Sequence, residues 1–313
     1  MEVFKIGHPH QLNRSKLLPM AMGLGYFDGI HIGHQQVIHE TKKIAKEKGL
    51  KSAVMTFDPH PSVVLRKSIQ HVEYITPLED KITLISDLEI DYLFVVHFTN
   101  DFSQLLPQEF IDEFIIGLNV HHVIAGFDYT YGRLGKGTME TLKFHSRSQF
   151  DYTIVPELQM NGHKVSSTHI RSLIKEGKTE QLKPFLGRFY QTSGEVIHGD
   201  KRGRTLGFPT ANIDTVKEYL FPPLGVYAVR IFIDGNWHNG VCNIGKKPTF
   251  YDATKRKPSV EVHIFDFNRE IYGQYVKIEW HIRIRSEVKF AGIQELISQI
   301  EKDKQNALVY FKK

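Results

Sequence analysis

One cysteine in 313 residues removes a whole tier of chemistry. Cys242 cannot form a disulfide within the chain, and zinc or iron–sulfur sites built from several cysteines are excluded. Any metal must take harder ligands. Long apolar runs are lacking too: none approaches the roughly 20 residues that span a bilayer. The opening MEVFKIGHPHQLNRS has neither a hydrophobic signal core nor an Arg-rich amphipathic pattern. A cytoplasmic chain with no membrane partner is expected. The signatures G-x-x-x-x-G-K-[ST] and G-x-G-x-x-G are both missing, which removes P-loop kinases and the usual dinucleotide-binding oxidoreductases. Internal repeats and low-complexity stretches are absent as well.

What is present describes a globular chain. With 41% hydrophobic and 24% charged residues there is enough apolar side chain to bury real cores, and the length suits two domains. Charge is uneven along the chain. Residues 1–186 carry a formal −1, whereas 187–313 carry 20 Lys and Arg against 14 Asp and Glu, a formal +6. A basic half reads first as solvated surface, next as a partner for an anionic small molecule, and only then for nucleic acid.

From Leu18 to Ala125, apolar runs alternate with helical patterns at about 33–48, 77–88 and 107–118. Strands separated by helices of a dozen residues predict a doubly wound parallel sheet with crossover helices. The stretch 166–187 reads as two short helices broken at Gly177, with an exit at Gly187. Beyond it, five segments of period two, split by Gly, Pro and Asp turns, predict a small antiparallel β-barrel. A final amphipathic helix over Ala291–Phe311, with Ile293, Leu296, Ile297 and Ile300 on one face, is expected to pack on it. The domains are thus expected at 1–186 and 187–313.

GLGYFDGIHIGH, residues 23–34, follows the first core strand and runs into a helix. His31 and His34 lie at that helix's N-terminus, where backbone N–H groups and the dipole favour an anion, and two imidazoles add donors to a phosphate gaining charge. Taken alone, H-x-x-H reads more simply as a capped helix start, or as a two-His metal site. The glycine-rich turn in its α/β setting favours nucleotidyl transfer. TFDPHP and GFDYTYG end two further strands and offer Asp58, His60 and Asp128 to a nucleotide or flavin, while Tyr129 and Tyr131 read as core. VSSTHIR opens a helix with Ser167 and Thr168 as caps, and Arg171 one turn later suits a leaving pyrophosphate; the plainer reading is an N-cap and a surface arginine.

In the β half, GDKRGRTLGFPTAN offers Gly199, Lys201, Gly203 and Arg204 to phosphates. The Thr210 hydroxyl and Asn212 amide oxygen are hard ligands suited to Mg²⁺ with ATP, against the plainer reading of a basic hairpin loop. In SVEVHIFDF, period two sets Val260, Val262 and Ile264 on one face and Glu261 and His263 on the other. Glu261, aimed into a barrel mouth, would take a proton from an alcohol during phosphoryl transfer; the alternative is an outward-facing glutamate. Arg285, in a charged run with Glu287 and Lys289, either reaches substrate or is solvated.

Together GxFDGxHxGH (25–34), TFDPHP, GFDYTYG, SSTxIR (166–171), GRTLGFPTAN, GVYAV (225–229), NIGxxPTF (243–250) and EVHIFDF resemble the prokaryotic bifunctional riboflavin kinase/FAD synthetase family along essentially the full length. The resemblance implies an N-terminal domain joining FMN to the AMP of ATP and a C-terminal barrel phosphorylating riboflavin, so that riboflavin becomes FMN and then FAD, with ADP and pyrophosphate released. It implies nucleotide contacts around Gly25, Phe27 and Asp28, and α-phosphate stabilisation by His31 and His34. It places Ser167, Thr168 and Arg171 on the ATP phosphates, Mg²⁺–ATP on Thr210 and Asn212, and the base at Glu261. Tyr26, Tyr129, Tyr131 and His169 depart from the family's pattern. Two other readings stay open: an adenylyltransferase with a flavin-sensing barrel, and a basic barrel that binds nucleic acid. The oligomeric state is not legible.

Overall fold

The computed structural model describes residues 1–65, 72–199, 203, 206–215, 218–246 and 258–312. Lys201, Arg204 and the second half of NIGxxPTF lie outside the described residues. The chain divides into two compact units, Met1–Ser167 and Thr168–Lys313.

The first unit is built on six parallel strands: β1 (Glu2–Ile6), β2 (Met20–Leu24), β3 (Lys51–Asp58), β4 (Tyr92–His97), β5 (Val120–Gly126) and β6 (Asp151–Val155). Their order is β1-β4-β3-β2-β5-β6. The chain runs outward from β2 through β3 to β4 and then returns to the other side of β2 as β5. The order therefore reverses beside β2, and Leu24 stands in register with Met55 on one side and Ala125 on the other. Ligands of open α/β sheets bind beyond the carboxyl ends of strands at such a switch point. The central strands are buried on both faces, which is why they read as unbroken apolar runs rather than as alternation.

Helix α1 (Ile32–Lys48) buries Val37, Ile38, Thr41, Ile44 and Ala45, an i, i+3/i+4 stripe, and ends at Gly49 in the left-handed region. Helix α2 (Leu78–Asp87) buries Ile85 and, unexpectedly for its residue type, Lys81. The helix expected over 107–118 is instead a short α3 (Pro107–Ile111) followed by a π-helical turn over Asp112–Ile116. That wider turn seats Phe110, Ile111, Phe114 and Ile115 all within the core.

In the second unit, β7 (Tyr190–Ile197), β8 (Ala211–Asp214), β9 (Gly225–Ile233), β10 (Asn236–Lys246), β11 (Pro258–Ile264) and β12 (Tyr275–Ser286) close into an antiparallel barrel. Their order is β7-β8-β11-β10-β9-β12. Tyr190, Tyr227 and Trp280 fill its interior, and each has a partner for its polar tip. Tyr190 donates to the Leu220 carbonyl at 2.7 Å, Tyr227 to that of Pro223 at 2.6 Å, and the Trp280 indole to the Thr192 hydroxyl at 3.0 Å. Helix α4 (Ser167–Glu176) starts at the division between the units, and the stretch after it belongs with the barrel. A Cβ on Gly177 would lie 3.0 Å from Arg283 Cδ. The compact units thus divide before the exit expected at Gly187.

Helix α5 (Ile293–Phe311) packs on the outside of the barrel by the side expected, with Leu296, Ile297 and Ile300 half-buried and Leu296 and Ile300 in line with Asp303 and Ala307. Ile293 is exposed, and the contact is made by Ala307, Leu308, Tyr310 and Phe311 against Val226, Ala228 and Val241. At its centre Asp303, only 2% exposed, takes Arg285 Nε at 2.9 Å and Nη2 at 2.8 Å. Arg285 is thereby committed to holding the helix, a role the sequence reading did not assign it. Removing one partner of a buried pair strands the other charge, at a cost of about 3–5 kcal/mol. Asp303→Ala is expected to destabilise the barrel unit by about 3 kcal/mol, read as a lower denaturant midpoint for the barrel's tryptophan fluorescence.

Candidate active sites

The turn from β2 into α1 spans Gly25–His31, and its backbone is unusual. Phe27, Gly29 and Ile30 all have positive φ, at 57°, 88° and 40°. The Phe27 ring folds back under Gly25, where a Cβ would come within 2.8 Å of it, so only glycine fits there. Phe27 is 1% exposed and packs edge-on to His34, with ring centroids 5.2 Å apart. Its side chain is thus a support for His34 rather than a surface for nucleotide. Asp28 is likewise turned inward. At 3% exposure its carboxylate accepts from the backbone N–H of Thr76 at 3.0 Å and of Ile75 at 3.4 Å, tying the turn to the approach to α2.

His31 is the N-cap of α1. Its Nδ1 accepts the His34 N–H at 3.1 Å, satisfying one of the amides a helix start leaves open. An Nδ1 that accepts leaves the ring proton on Nε2, so His31 keeps that nitrogen as a donor. The His31 and His34 rings stack at 3.5 Å, 16° from parallel. Two imidazoles in register at a helix N-terminus form a place for an anion. Ser167 closes the first unit's contribution, its hydroxyl donating to the Asp28 carbonyl at 2.8 Å. Thr168 and Arg171 fall in the second compact unit.

The neighbouring strand ends are occupied differently. Asp58 ends β3, and the His60 ring meets Tyr26 edge-on at 4.5 Å while its Nδ1 accepts the Ser62 N–H at 3.1 Å. Asp128, beyond β5, pairs with Lys164 at 3.0 Å on the surface. Tyr131 is core, its hydroxyl 2.7 Å from His145 Nδ1, and Tyr129 packs beside that core. Sequence reasoning passed over Lys81, whose position behind Tyr26 no motif signalled.

The second constellation lies on the barrel. Asn212 on β8 faces Glu261 on β11, which faces Asn243 on β10, so the three occupy one row. Asn243 in turn faces Val226, which belongs to the outer face covered by α5. Glu261 therefore lies on the outside of the barrel, with Ser259 and His263, and not in its mouth. Val260 and Val262 take the inner face, as alternation requires. The glycines of the loop are steric necessities: a Cβ on Gly199 would fall 2.2 Å from Asn212 Nδ2, and one on Gly203 would lie 2.4 Å from the Phe208 carbonyl oxygen and 3.4 Å from Thr210 Oγ1. The loop backbone thus lies against both residues read as metal ligands. Beside them an open groove is lined by Val196, Thr210, Ala211, Val262, Phe267 and Tyr272. Val196 and Tyr272 carried no signal in the sequence. His263 is held by the Pro209 carbonyl at 2.9 Å, and burial lowers its pKa. Among the described residues, no group of three or more His, Cys, Asp or Glu is arranged to hold a metal.

Comparison with known proteins assigns a family to each half of the chain. A family model described as FAD synthetase matches residues 14–169, and one described as riboflavin kinase matches 186–311. The bifunctional riboflavin kinase/FMN adenylyltransferase of Bacillus subtilis is 53% identical over 99% of this chain and 98% of its own. The Listeria monocytogenes protein of the same name is 48% identical over 100% and 99%. A crystal structure of a Streptococcus pneumoniae protein described as a macrolide-efflux protein shares the fold, with a TM-score of 0.87 and 32% identity, covering 97% of this chain and 98% of that one. Among the described residues here, no helix is long and apolar enough to cross a membrane. With both family models matched in order and identity near half along the whole length, this chain belongs to the bifunctional riboflavin kinase/FMN adenylyltransferase family.

Proposed function

We propose that this chain makes FAD from riboflavin in two ATP-dependent steps, with the adenylylation carried by residues 1–186 and the phosphorylation by 187–313. In the barrel, the riboflavin ribityl hydroxyl attacks the γ-phosphorus of ATP, its proton passes to Glu261, and ADP leaves. In the first unit, an oxygen of the FMN phosphate attacks the α-phosphorus of a second ATP, and pyrophosphate leaves. The observation that carries this reading is the contrast between the two sites. One presents paired imidazoles at a helix N-terminus, and the other a carboxylate in register with a hard-oxygen ligand. That is the contrast the two nucleophiles need: a phosphate is already anionic, whereas an alcohol must lose a proton.

His31 and His34 are assigned to the charge that builds on the α-phosphate. Ser167, Thr168 and Arg171 are assigned to the remaining ATP phosphates, and Asp58 and His60 to the rim of the same site. In the barrel, Thr210 and Asn212 suit a divalent cation, read here as Mg²⁺, because a hydroxyl and an amide oxygen are hard neutral donors and the glycine-bearing loop runs against both. When bound, that ion would neutralise charge on the transferred phosphoryl group. The groove beside Thr210 is the place for the nucleoside. The compartment consistent with free ATP and flavin is the cytoplasm.

Chromatographic separation of FMN and FAD, after incubation with riboflavin, Mg²⁺ and ATP, tests the whole reading, since both products are expected. Glu261→Gln is expected to lower riboflavin phosphorylation about a hundred-fold or more and to leave FAD formation from supplied FMN unchanged. Kinase turnover within a few-fold of wild type would remove the base from Glu261. His31→Ala is expected to do the reverse, letting FMN accumulate with FAD synthesis reduced by about 10²–10³, the usual cost of a lost donor to developing charge. FAD formation from FMN at the normal rate would show that the imidazole serves the helix only.

A further inference from the structure

Lys81 is 2% exposed, on a helix whose Glu79 and Asp87 are exposed, and the two-step reaction as assigned above gives it no part. Its ammonium donates to the Tyr26 carbonyl at 2.8 Å and to the Thr56 hydroxyl at 3.2 Å. The Thr56 hydroxyl also donates to that carbonyl, at 2.8 Å, and the ammonium sits 4.2 Å from the Tyr26 ring centroid. Among the described residues, no carboxylate lies within ion-pair distance of Lys81; Asp28 and Asp58 act on it only through space. A lysine kept in a core without a salt bridge is expensive and calls for a use.

The use is suggested by what it grips. Tyr26–Phe27 is a trans peptide, so a carbonyl drawn inward by two donors turns the Phe27 N–H to the opposite side. Among the described residues that N–H has no acceptor. We propose that Lys81 is a positioning residue for the adenylyl transfer: it fixes the Tyr26–Phe27 peptide so that the Phe27 amide is presented to a nucleotide phosphate, and sets a positive charge beneath the turn. This rests on the assignment of the first unit to FMN adenylylation.

The charge has a pH limit. Burial lowers the Lys81 pKa to about 8 against the upward pull of Asp28 and Asp58. The other groups facing it are the Tyr26 phenol, pushed far up by burial, and Tyr74 beside that phenol. As pH rises through about 8 the ammonium is lost and the grip on Tyr26 weakens. Fold stability moves the other way. The unfolded lysine binds its proton up to its ordinary value, so the unfolded state holds more protons across that interval and stability rises with pH. A loss of activity in this range is therefore not unfolding.

The test uses the full-length protein, with riboflavin phosphorylation by the same preparation as the internal control. Lys81→Met is expected to lower FAD formation from FMN ten-fold or more while kinase turnover stays within two-fold and the melting temperature does not fall. In wild type, kcat/KM for ATP in adenylylation is expected to fall above pH 8; in Lys81→Met that limb disappears. Lys81→Arg, which keeps the charge, is expected to recover part of the rate without the limb. Wild-type FAD formation by Lys81→Met overturns the proposal, as does a limb that persists in it. A joint fall of adenylylation, phosphorylation and melting temperature would mark the residue as structural only. A wild-type protein that forms FMN but no FAD would instead overturn the assignment of the first unit, and this inference with it.

Discussion

Three of the four residues from Phe27 to Ile30 have left-handed backbone, and two of them are not glycine. Such a conformation costs about 1–2 kcal/mol for each residue bearing a Cβ. It persists only where surrounding bonds outweigh it. The Asp28 carboxylate supplies them, accepting two backbone N–H groups in a place closed to water. Hydrogen bonds to a charged group are worth about 1.5–3 kcal/mol each, enough to offset the strain. From that anchored turn the rest of the first unit's chemistry follows. It delivers the chain to His31 in extended conformation, lets His31 cap α1 with its own ring, and stacks His34 on it.

The barrel solves a different problem, because the row proposed to act there is on the outside. Asn212, Glu261 and Asn243 stand side by side on three neighbouring strands. The same row continues through Val226 to Arg285, where α5 is pinned by Asp303. A surface row would be open to water along its length without the helix. The buried ion pair, which is weak support for stability in the abstract, earns a clearer purpose here as a register mark, since it fixes where along β12 the helix sits.

Much of this was legible in the sequence wherever one period dominates. Alternation in β11 set Glu261 on the face opposite Val260 and Val262, though not which of the two faces the interior, and the i, i+4 stripe of α1 gave its burial. Reading failed where tertiary contact overrides local pattern. Ile293 was read into the buried stripe of α5 but is exposed, and the polar Asp303 shares the buried side with Leu296, Ile300 and Ala307, because an arginine on β12 waits for a carboxylate. The Arg285–Asp303 pair was missed for the same reason: charge is visible in sequence but its partner is not. The side chains of Phe27 and Asp28 face inward and shape the turn, which their place in the motif did not reveal. Lys81 was invisible, since a lysine on an amphipathic helix reads as solvent-facing unless the carbonyl above it is known.

The one cysteine has a further consequence. Cys242 lies inside the barrel, opposite Tyr227 and Val262 on the strands to either side, and burial raises its thiol pKa well above the ordinary range. Thiolate, the form that reacts, is therefore scarce while the barrel is closed. Because the chain has no second thiol, any adduct formed by a cysteine reagent records an opening of that one strand interior. The rate of labelling becomes a clock for barrel breathing, separate from whatever the first unit is doing at the time.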